Sequence, residues 1–415
     1  MSTVLRRLLG FDRDTVITGW ELESSGDRPI LTVRVRARQR RRGGCGRCGV
    51  SASFYDQGGG DRRWRHLDVG YATCVLVGSA RRVDCPVHGP TVARVPWARH
   101  DSAFTRAFED LVCWEAVASS KNTAAVRYQI SWRAVNGICV RVATQALDRI
   151  DLLEGLIAVA IDEVKYKKGQ KYLTIVCDHV TGRVVWAAEG RSKDTVNRFF
   201  DALGDQRAET LELVSADGAE WIRTVVAARA PQATICLDTF HLVSWATTAL
   251  DEVRRGEWNR LRGRGAASKA KTTKGLRWLL IRNWENLTPS AKATLRELEK
   301  SNRRLFRAWQ LKEELRDIMG MTPVAADLAL DEWIHHASRS RLAPFVRLAR
   351  TIRHYRESIL ATVEWKLTNG IAESVNASIG RLRANARGFH KPESFIAMIH
   401  LDRSGLTPPL PWTHA

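Results

Sequence analysis

Three acidic residues in separate parts of the chain have the types and positions that metal-dependent chemistry requires. Asp162 ends the apolar run 156–161, Asp217 ends the run 211–216, and Glu373 lies in a later basic segment with helical periodicity. Strand ends and a facing helix can hold three carboxylates close together, and carboxylate oxygens are preferred ligands of hard divalent cations. Two such ions can activate an attacking oxygen and stabilise a leaving oxygen at a phosphodiester. The trio therefore predicts a two-metal centre for phosphodiester cleavage and transfer.

Each of these acids also has a structural explanation. Asp217 precedes a predicted helix and could be its N-cap. Asp162 could form a turn pair with the acid that follows it, and Glu373 could lie on the solvated face of an amphipathic helix. Asp178 and Asp238 are rival carboxylates, and for Asp238 a capping role is at least as good an account.

Cysteine and histidine spacing near the N-terminus predicts a structural zinc site. Cys45 and Cys48 form one short pair, and Cys85 and His88 form a second. Each spacing lets a tight knuckle direct both ligands at one ion. The alternative is a chance Cys-x-x-Cys beside an unrelated cysteine and histidine. The other five of the eight cysteines stand singly in apolar surroundings, as expected of buried thiols in a reducing compartment.

Two further segments predict contacts with DNA. Between the zinc pairs, basic residues flank an aromatic residue, and this pattern fits either a DNA contact or a solvated loop. From Ser119 to Ile150 the pattern gives a helix, a break at 128–131 and a second helix capped by Ser131, as in a helix-turn-helix, although a plain helical hairpin fits almost equally well. The predicted contacts are Arg62, Arg63, Arg65, Arg127, Trp132 and Arg133.

The bulk composition also indicates a polyanionic partner. The chain carries a net charge of +20 and has a pI near 10.1, so release of counterions should favour binding to DNA or RNA. Its 415 residues, 44% hydrophobic, are enough for two to four domains. There is neither an apolar run of about 18 residues nor a secretory signal, so we expect a cytoplasmic, nucleoid-associated protein outside the membrane.

The first two acids fall within a pattern of strands and helices that is typical of an RNase H-like fold. In that fold the first strand carries one carboxylate, the fourth ends at the second, and a later helix brings the third. The predicted elements are strands 156–161, 171–177 and 183–188, helix 194–203, the strand ending in Asp217, helix 219–230, strand 233–237 and a helix from Phe240.

The long stretch before Glu373 predicts a mostly helical insertion. It carries the basic patch 260–265 and Trp278, Trp284 and Trp309, which fit core packing or stacking on unpaired bases. In the predicted helix around Glu373, apolar residues occupy one face, and Glu373 and Asn376 lie on the other face. The cations predicted to reach DNA phosphates there are Arg381, Arg383 and Arg387.

Together these patterns predict a multidomain α/β protein whose core is interrupted by a helical insertion. The predicted domains are a zinc-binding domain (1–100), a helix-turn-helix segment (101–153), the first part of the RNase H-like core (154–257), the insertion (258–350) and the C-terminal part of the core with the Glu373 helix (351–415).

Several motifs together resemble a bacterial insertion-sequence transposase of the ISL-three (ISL3) family, within the DDE superfamily, over nearly the whole chain. Besides the zinc pairs they are Ile161–Glu163 with Lys168–Tyr172, Ser215–Gly218, Pro231–Ala233 with Leu237–His241, Leu311–Arg316, Thr368–Asn376 and Arg387–Phe389. Family members commonly have a cysteine where this chain has His88. The fourth zinc ligand is therefore open between His88, His66 and Cys74.

The resemblance implies a transposase that binds the terminal inverted repeats of its element and cuts and joins DNA with Mg²⁺ (or Mn²⁺). By motif, the triad is Asp162, Asp217 and Glu373. We expect terminal-repeat and target duplexes as partners, and a homodimer or higher oligomer on DNA, since two ends must be held together. The alternatives are a transposase-derived DNA-binding regulator without strand transfer and an RNase H-like nuclease that cuts without joining.

Overall fold

The computed structural model describes residues 2–24, 26–38, 43–167, 169–366, 370–386, 388–389 and 391–413, with backbone alone for residues 2, 3, 370, 372 and 373. The chain divides into two units. The first comprises Met1–Ile150, Ala384–Arg387 and Glu393–Ala415, and the second comprises Asp151–Arg383 and Gly388–Pro392. No helix in the described ranges is long and apolar enough to cross a membrane.

Two small sheets form the N-terminal part of the first unit. Alternation along β2, where buried Val33 and Val35 flank exposed Arg34, gives the larger sheet one apolar face, and this face packs with Trp64 and Leu76. The larger sheet has the order β1-β2-β5-β4, and the smaller, antiparallel sheet has the order β3-β6-β7. The elements are helix α1 Ser2–Leu8 and strands β1 Thr15–Glu23, β2 Ile30–Ala37, β3 Ser53–Asp56, β4 Asp61–Arg65, β5 Thr73–Ser79, β6 Arg82–Cys85 and β7 Gly89–Val92.

Three helices follow in the same unit: α2 Arg106–Ala118, α3 Lys121–Tyr128 and α4 Trp132–Leu147. A side-chain hydroxyl caps each N-terminus, from Thr105, Ser120 and Ser131 respectively. Gln129, with a φ of 53°, ends α3 in the left-handed conformation. The predicted break and the predicted Ser131 cap are both present.

A five-stranded sheet forms the centre of the second unit, in the order β10-β9-β8-β11-β12. Strands β8, β11 and β12 are parallel, while β9 is antiparallel to both β8 and β10. Apolar side chains of the sheet, such as Ile161 and Val214, pack against Phe199 and Ile222 of the covering helices. The elements are strands β8 Ala158–Lys167, β9 Lys171–Asp178, β10 Val184–Glu189, β11 Leu213–Ala216 and β12 Thr234–Leu237, and helices α5 Lys193–Leu203, α6 Asp205–Ala208 and α7 Glu220–Arg229.

The first strand of this sheet is longer than predicted. The apolar run predicted a strand that ends before Asp162, yet β8 continues to Lys167, so Asp162 lies in the middle of the strand. Hydrogen bonding to β9 extends β8. The paired residues run from Val159 opposite Asp178 to Lys167 opposite Lys171. The apolar run marked only the buried part of the strand.

Helices make up most of the remaining second unit. One cluster of buried apolar residues, from Leu237 to Val363, forms the core of this helical part. The cluster begins in β12, the strand before the predicted insertion. Of the three tryptophans named above for the predicted insertion, Trp309 is buried, whereas Trp278 and Trp284 are exposed. The helices are α8 Thr239–Gly263, α9 Ala267–Gly275, α10 Arg277–Ile281, a 3₁₀ turn Trp284–Asn286, α11 Pro289–Ser301, α12 Arg303–Ile318, α13 Pro323–Ser338, α14 Ala343–His354, α15 Arg356–Glu364 and α16 Gly370–Asn385. The last helix, α17 Pro392–Arg403, belongs to the first unit from Glu393 onward.

Candidate functional site

The four predicted zinc ligands lie together in the first unit. Their ligand atoms are all within 4.8 Å of one another. The Sγ atoms of Cys48 and Cys85 are 3.7 Å apart, and Nδ1 of His88 is 3.6 Å from Sγ of Cys85 and 3.8 Å from Sγ of Cys45. Tetrahedral zinc, with usual Zn–S and Zn–N lengths, separates its ligands by about 3.5–3.8 Å. The donor set therefore fits one zinc ion.

Local backbone structure positions both ligand pairs. The first knuckle closes through hydrogen bonds from the amide of Cys45 to the carbonyl of Val50 and from the amide of Gly49 to the carbonyl of Cys45. Gly49 has a φ of +75°, which explains glycine at this position. Cys85 ends β6. Burial raises the pKa of its thiol, but hydrogen bonds from backbone amides and from His88 outweigh burial and lower the pKa to about 6.

The two alternative ligands lie outside this cluster. His66 is buried, and its ring nitrogens contact Oγ1 of Thr105 at 2.9 Å and the carbonyl of Leu9 at 3.2 Å. Burial lowers its pKa to about 4. Cys74 is buried within β5, where burial raises the pKa of its thiol to about 12. Both residues serve the packing of the sheet.

Two of the predicted carboxylates lie side by side in the second unit. Strands β8 and β11 pair in parallel up to Ile161 and Ala216, so Asp162 and Asp217 are the next residues in register. One oxygen of Asp162 accepts the amide of Glu163 at 2.7 Å. Oδ1 of Asp217 accepts the amide of Ala219 at 3.0 Å. Backbone donors therefore orient both acids.

Glu163 places a third negative charge beside this pair. Its side chain is 7% exposed and forms an ion pair with Nε of Arg191 at 2.8 Å, while its Oε1 is buried without a hydrogen-bond partner. Burial and the charge of Asp217 raise the pKa of the Glu163 carboxyl to about 7, with Asp162 adding to the effect and Arg191 opposing it. Sequence reasoning did not assign Glu163 to the site, although two successive acids after an apolar run were a signal.

Helix α16 brings a further polar group to Asp162. Nδ2 of Asn376 donates to the second oxygen of Asp162 at 2.7 Å, and Nη1 of Arg383 donates to the carbonyl of Lys165 at 2.6 Å. The predicted apolar face of α16 is present, since Val375, Ile379 and Leu382 are buried. Glu373 is on this helix, one turn before Asn376, and its carboxylate lies outside the described residues, as does Arg387. Arg381 is exposed.

Packing behind Asp217 fixes the turn that follows it. The hydroxyl of Tyr355 donates to the carbonyl of Gly218 at 2.6 Å. A Cβ atom at Gly218 would lie 2.5 Å from the Trp245 ring. Trp245 packs against Tyr355, with ring centroids 5.5 Å apart. These contacts join distant parts of the chain, and no sequence signal predicted them.

The rival acids have local structural roles. Asp178 accepts hydrogen bonds from the amides of Val180 and Thr181 in the β9–β10 turn. Asp238 caps α8 by accepting the amide of Phe240 at 2.9 Å. Turn formation therefore accounts for the position of Asp178, and helix capping accounts for that of Asp238.

The predicted DNA contacts in the first unit differ in accessibility. Arg62, Arg63, Trp132 and Arg133 are exposed. Arg127 is also exposed and pairs with Glu115 at 2.9 Å. Arg65 is only 15% exposed, because it pairs with Asp68 and lies over the ring of Phe108. Its contacts are structural ones within the unit.

Three family models match successive parts of the chain. They are a zinc finger of transposases IS204/IS1001/IS1096/IS1165 over residues 41–88, a helix-turn-helix domain of transposase family ISL3 over 93–143, and an ISL3 transposase domain over 159–399. These matches show that the protein is a transposase.

Named relatives agree with these matches. The chain is 44% identical to the transposase for insertion sequence element IS1557 of Mycobacterium tuberculosis (strains H37Rv and CDC 1551 / Oshkosh), over 99% of this chain and 97% of the relative. It is 29% identical to the transposase for IS1001 of Bordetella parapertussis, over 81% of this chain and 83% of the relative. The chain belongs to the ISL3 transposase family, which confirms the resemblance drawn from its motifs.

Proposed function

We propose that this transposase binds the terminal inverted repeats of its insertion sequence and cuts and joins DNA by a metal-dependent DDE mechanism. The observation that carries this proposal is the register that makes Asp162 and Asp217 neighbours on adjacent parallel strands. The triad is Asp162, Asp217 and Glu373. The strand order, with antiparallel β10-β9-β8 followed by parallel β11 and β12, supports an RNase H-like core in which a helical insertion precedes Glu373.

The carboxylates of the proposed triad are a donor set that fits divalent cations. Hard cations such as Mg²⁺ or Mn²⁺ prefer carboxylate oxygens. Burial and, after it, the charges of Asp217 and Asp162 raise the pKa of Glu163, and bound cations would offset the effect of those charges. Two ions held by the triad would supply activation of the attacking oxygen and stabilisation of the leaving oxygen.

The chain's own residues position these acids. The side chain of Asn376 and the amides of Glu163 and Ala219 hold the Asp162 and Asp217 carboxylates through hydrogen bonds, so their orientation is set before DNA binds. The reaction needs positioning and charge neutralisation more than a covalent nucleophile from the protein.

The N-terminal modules supply recognition in this proposal. Zinc bound by Cys45, Cys48, Cys85 and His88 is structural, since four protein ligands leave no open position. Helix α4 presents exposed Trp132 and Arg133 at its N-terminus, the end that contacts bases in helix-turn-helix proteins. Two DNA ends must be joined in one complex, so a homodimer or higher oligomer forms on DNA.

The test is cleavage of a labelled duplex that carries the element's terminal repeat, with Mg²⁺ and purified full-length protein. Asp217→Asn should abolish cleavage and retain repeat binding, while the control Asp194→Asn, at an exposed acid on α5, should cleave normally. Joined products establish strand transfer. Cleavage without joining would favour the nuclease, and binding without cleavage by the wild type would favour the regulator.

A further inference from the structure

A cleft in the first unit is lined by six arginines from separate parts of the chain. They come from the first zinc knuckle, strand β4, the segment before α2, and α2 and α4 with their flanking residues. The six are Arg47, Arg62, Arg94, Arg99, Arg106 and Arg149.

Five of these six cations form no ion pair with an acidic residue in the described ranges. Arg99 pairs with Glu109 at 3.1 Å and with Asp110 at 2.6 Å. In the described part of the chain, no ion pair involves Arg47, Arg62, Arg94, Arg106 or Arg149. Nη1 of Arg106 instead donates to the neutral amide oxygen of Gln145 at 3.0 Å. Two aspartates, Asp101 and Asp148, also line the cleft, so its six arginines leave an excess of positive charge.

Electrostatic repulsion within the cleft is evident at Arg106. Burial and, after it, the charges of Arg99, Arg94 and Arg149 lower the pKa of its guanidinium to about 10, with Asp110 opposing them. Helix α2 begins at Arg106, so the partial positive charge of its N-terminus adds to that of the arginines. An anion in the cleft would relieve this repulsion.

We propose that this cleft binds a phosphate group of the DNA backbone, held by Arg94, Arg106 and Arg149 with Arg47 and Arg62 at its rim. Guanidinium groups donate paired hydrogen bonds to phosphate oxygens. The inference rests on the proposal that the first unit binds the terminal repeat, and it adds a contact that neither the zinc site nor the recognition end of α4 provides.

The position of the cleft predicts where this phosphate lies. Arg149 follows α4, and Trp132 begins it. The 16 residues of α4 span about 24 Å, which corresponds to roughly seven base pairs of duplex DNA at about 3.4 Å each. The clamped phosphate therefore lies at the flank of the sequence that α4 contacts, and it strengthens binding without reading bases.

The experiment compares the full-length protein with the double variant Arg94→Gln/Arg149→Gln, since both side chains are exposed and their loss should spare the fold. The control is Arg36→Gln, an exposed arginine on β2 outside the cleft. Affinities for a terminal-repeat duplex and for a scrambled duplex are measured across a range of NaCl concentrations. In parallel, melting temperatures are measured in inorganic phosphate and in chloride at equal ionic strength.

The double variant should bind both duplexes roughly tenfold more weakly, and its salt slope should fall by about 1. Phosphate should raise the melting temperature of the wild type and of Arg36→Gln more than that of the double variant. An unchanged salt slope overturns the proposal, and stabilisation by phosphate in that case assigns the cleft to a free anion. If the wild type shows no preference for the repeat, the proposed function fails, while the slope on scrambled duplex still decides the role of the cleft.

Discussion

Asn376 and Asp162 are 214 positions apart in sequence, and a 2.7 Å hydrogen bond from the amide of one to the carboxylate of the other joins helix α16 to strand β8. The same helix carries Glu373. This bond therefore links the orientation of the first proposed metal ligand to the helix that bears the third.

Replacing Asn376 with alanine should lower Mg²⁺-dependent cleavage about 10- to 100-fold, the usual cost of losing a group that orients a metal ligand. Repeat binding and the melting temperature should change little, because the Asn376 side chain is exposed. Ala377→Ser, at the adjacent exposed position, is the control. Wild-type cleavage rates in Asn376→Ala would show that Asp162 needs no such support.

Gly218→Ala should disrupt the turn after Asp217. The added Cβ would lie 2.5 Å from the Trp245 ring, and overpacking of this kind costs about 1–3 kcal/mol. We expect a lower free energy of unfolding in urea and little cleavage. Gly137→Ala, whose Cβ would meet nothing within 4 Å, should keep both properties. Partial recovery in Gly218→Ala/Trp245→Leu would identify the ring as the cause, whereas no recovery would point to the backbone.

Metal analysis tests the zinc site. The wild type and Cys74→Ala should each hold about one zinc per chain, because Cys74 lies outside the cluster. Cys85→Ser and His88→Ala should lose most of it, and a chelator should lower the melting temperatures of the wild type and of Cys74→Ala but not those of the two ligand variants. Full zinc content in His88→Ala would assign the fourth ligand to another residue.

Acid should destabilise the first unit through two buried histidines. Burial lowers the pKa of both His66 and His400 from 6.5 to about 4. Because the folded-state pKa lies below the unfolded one, their contribution to stability is complete above about pH 6.5 and is lost as the pH falls through about 4. The loss should be on the order of 3 kcal/mol for each histidine.

Urea unfolding at pH 7 and pH 4.5 measures this dependence. His66→Gln and His400→Gln should each flatten it, while His354→Gln, at an exposed histidine, should retain it in full. An undiminished pH dependence in both buried-site variants would assign acid sensitivity to other groups.

Glu163→Gln should stabilise the metal-free protein at alkaline pH. The folded-state pKa, about 7, is above the ordinary 4.5, so the carboxyl's contribution to stability is present below about pH 4.5 and is lost as the pH rises through about 7. The glutamine variant should gain on the order of 1–3 kcal/mol at pH 8 and nothing at pH 4.5. Asp194→Asn is the control, and equal differences at both pH values would contradict the assignment.

Local patterns explain what could be predicted from the sequence. The break at Gln129, the Ser131 cap and the strand leading to Asp217 depend on neighbouring residues, and periodicity and capping preferences describe such features well. The extension of β8 beyond Asp162 depends on pairing with β9, which an apolar run does not encode.

Tertiary contacts explain what could not be predicted. Tyr355 reaches Gly218 from 137 positions away. The cleft arginines stand in unrelated local patterns, and only the fold brings them together. Glu163 looked like part of a turn, yet it lies within β8 with its side chain buried, near enough to Asp162 and Asp217 for their charges to raise its pKa.

Helix α8 sets a length scale within the second unit. It begins directly after β12, the strand beside β11, which leads to Asp217, and its 25 residues span about 37 Å. Its far end carries exposed Arg260, Arg262 and Arg264. One turn of B-DNA is about 34–36 Å long. A straight duplex lying along α8 would therefore present the same face of its backbone to both ends of the helix.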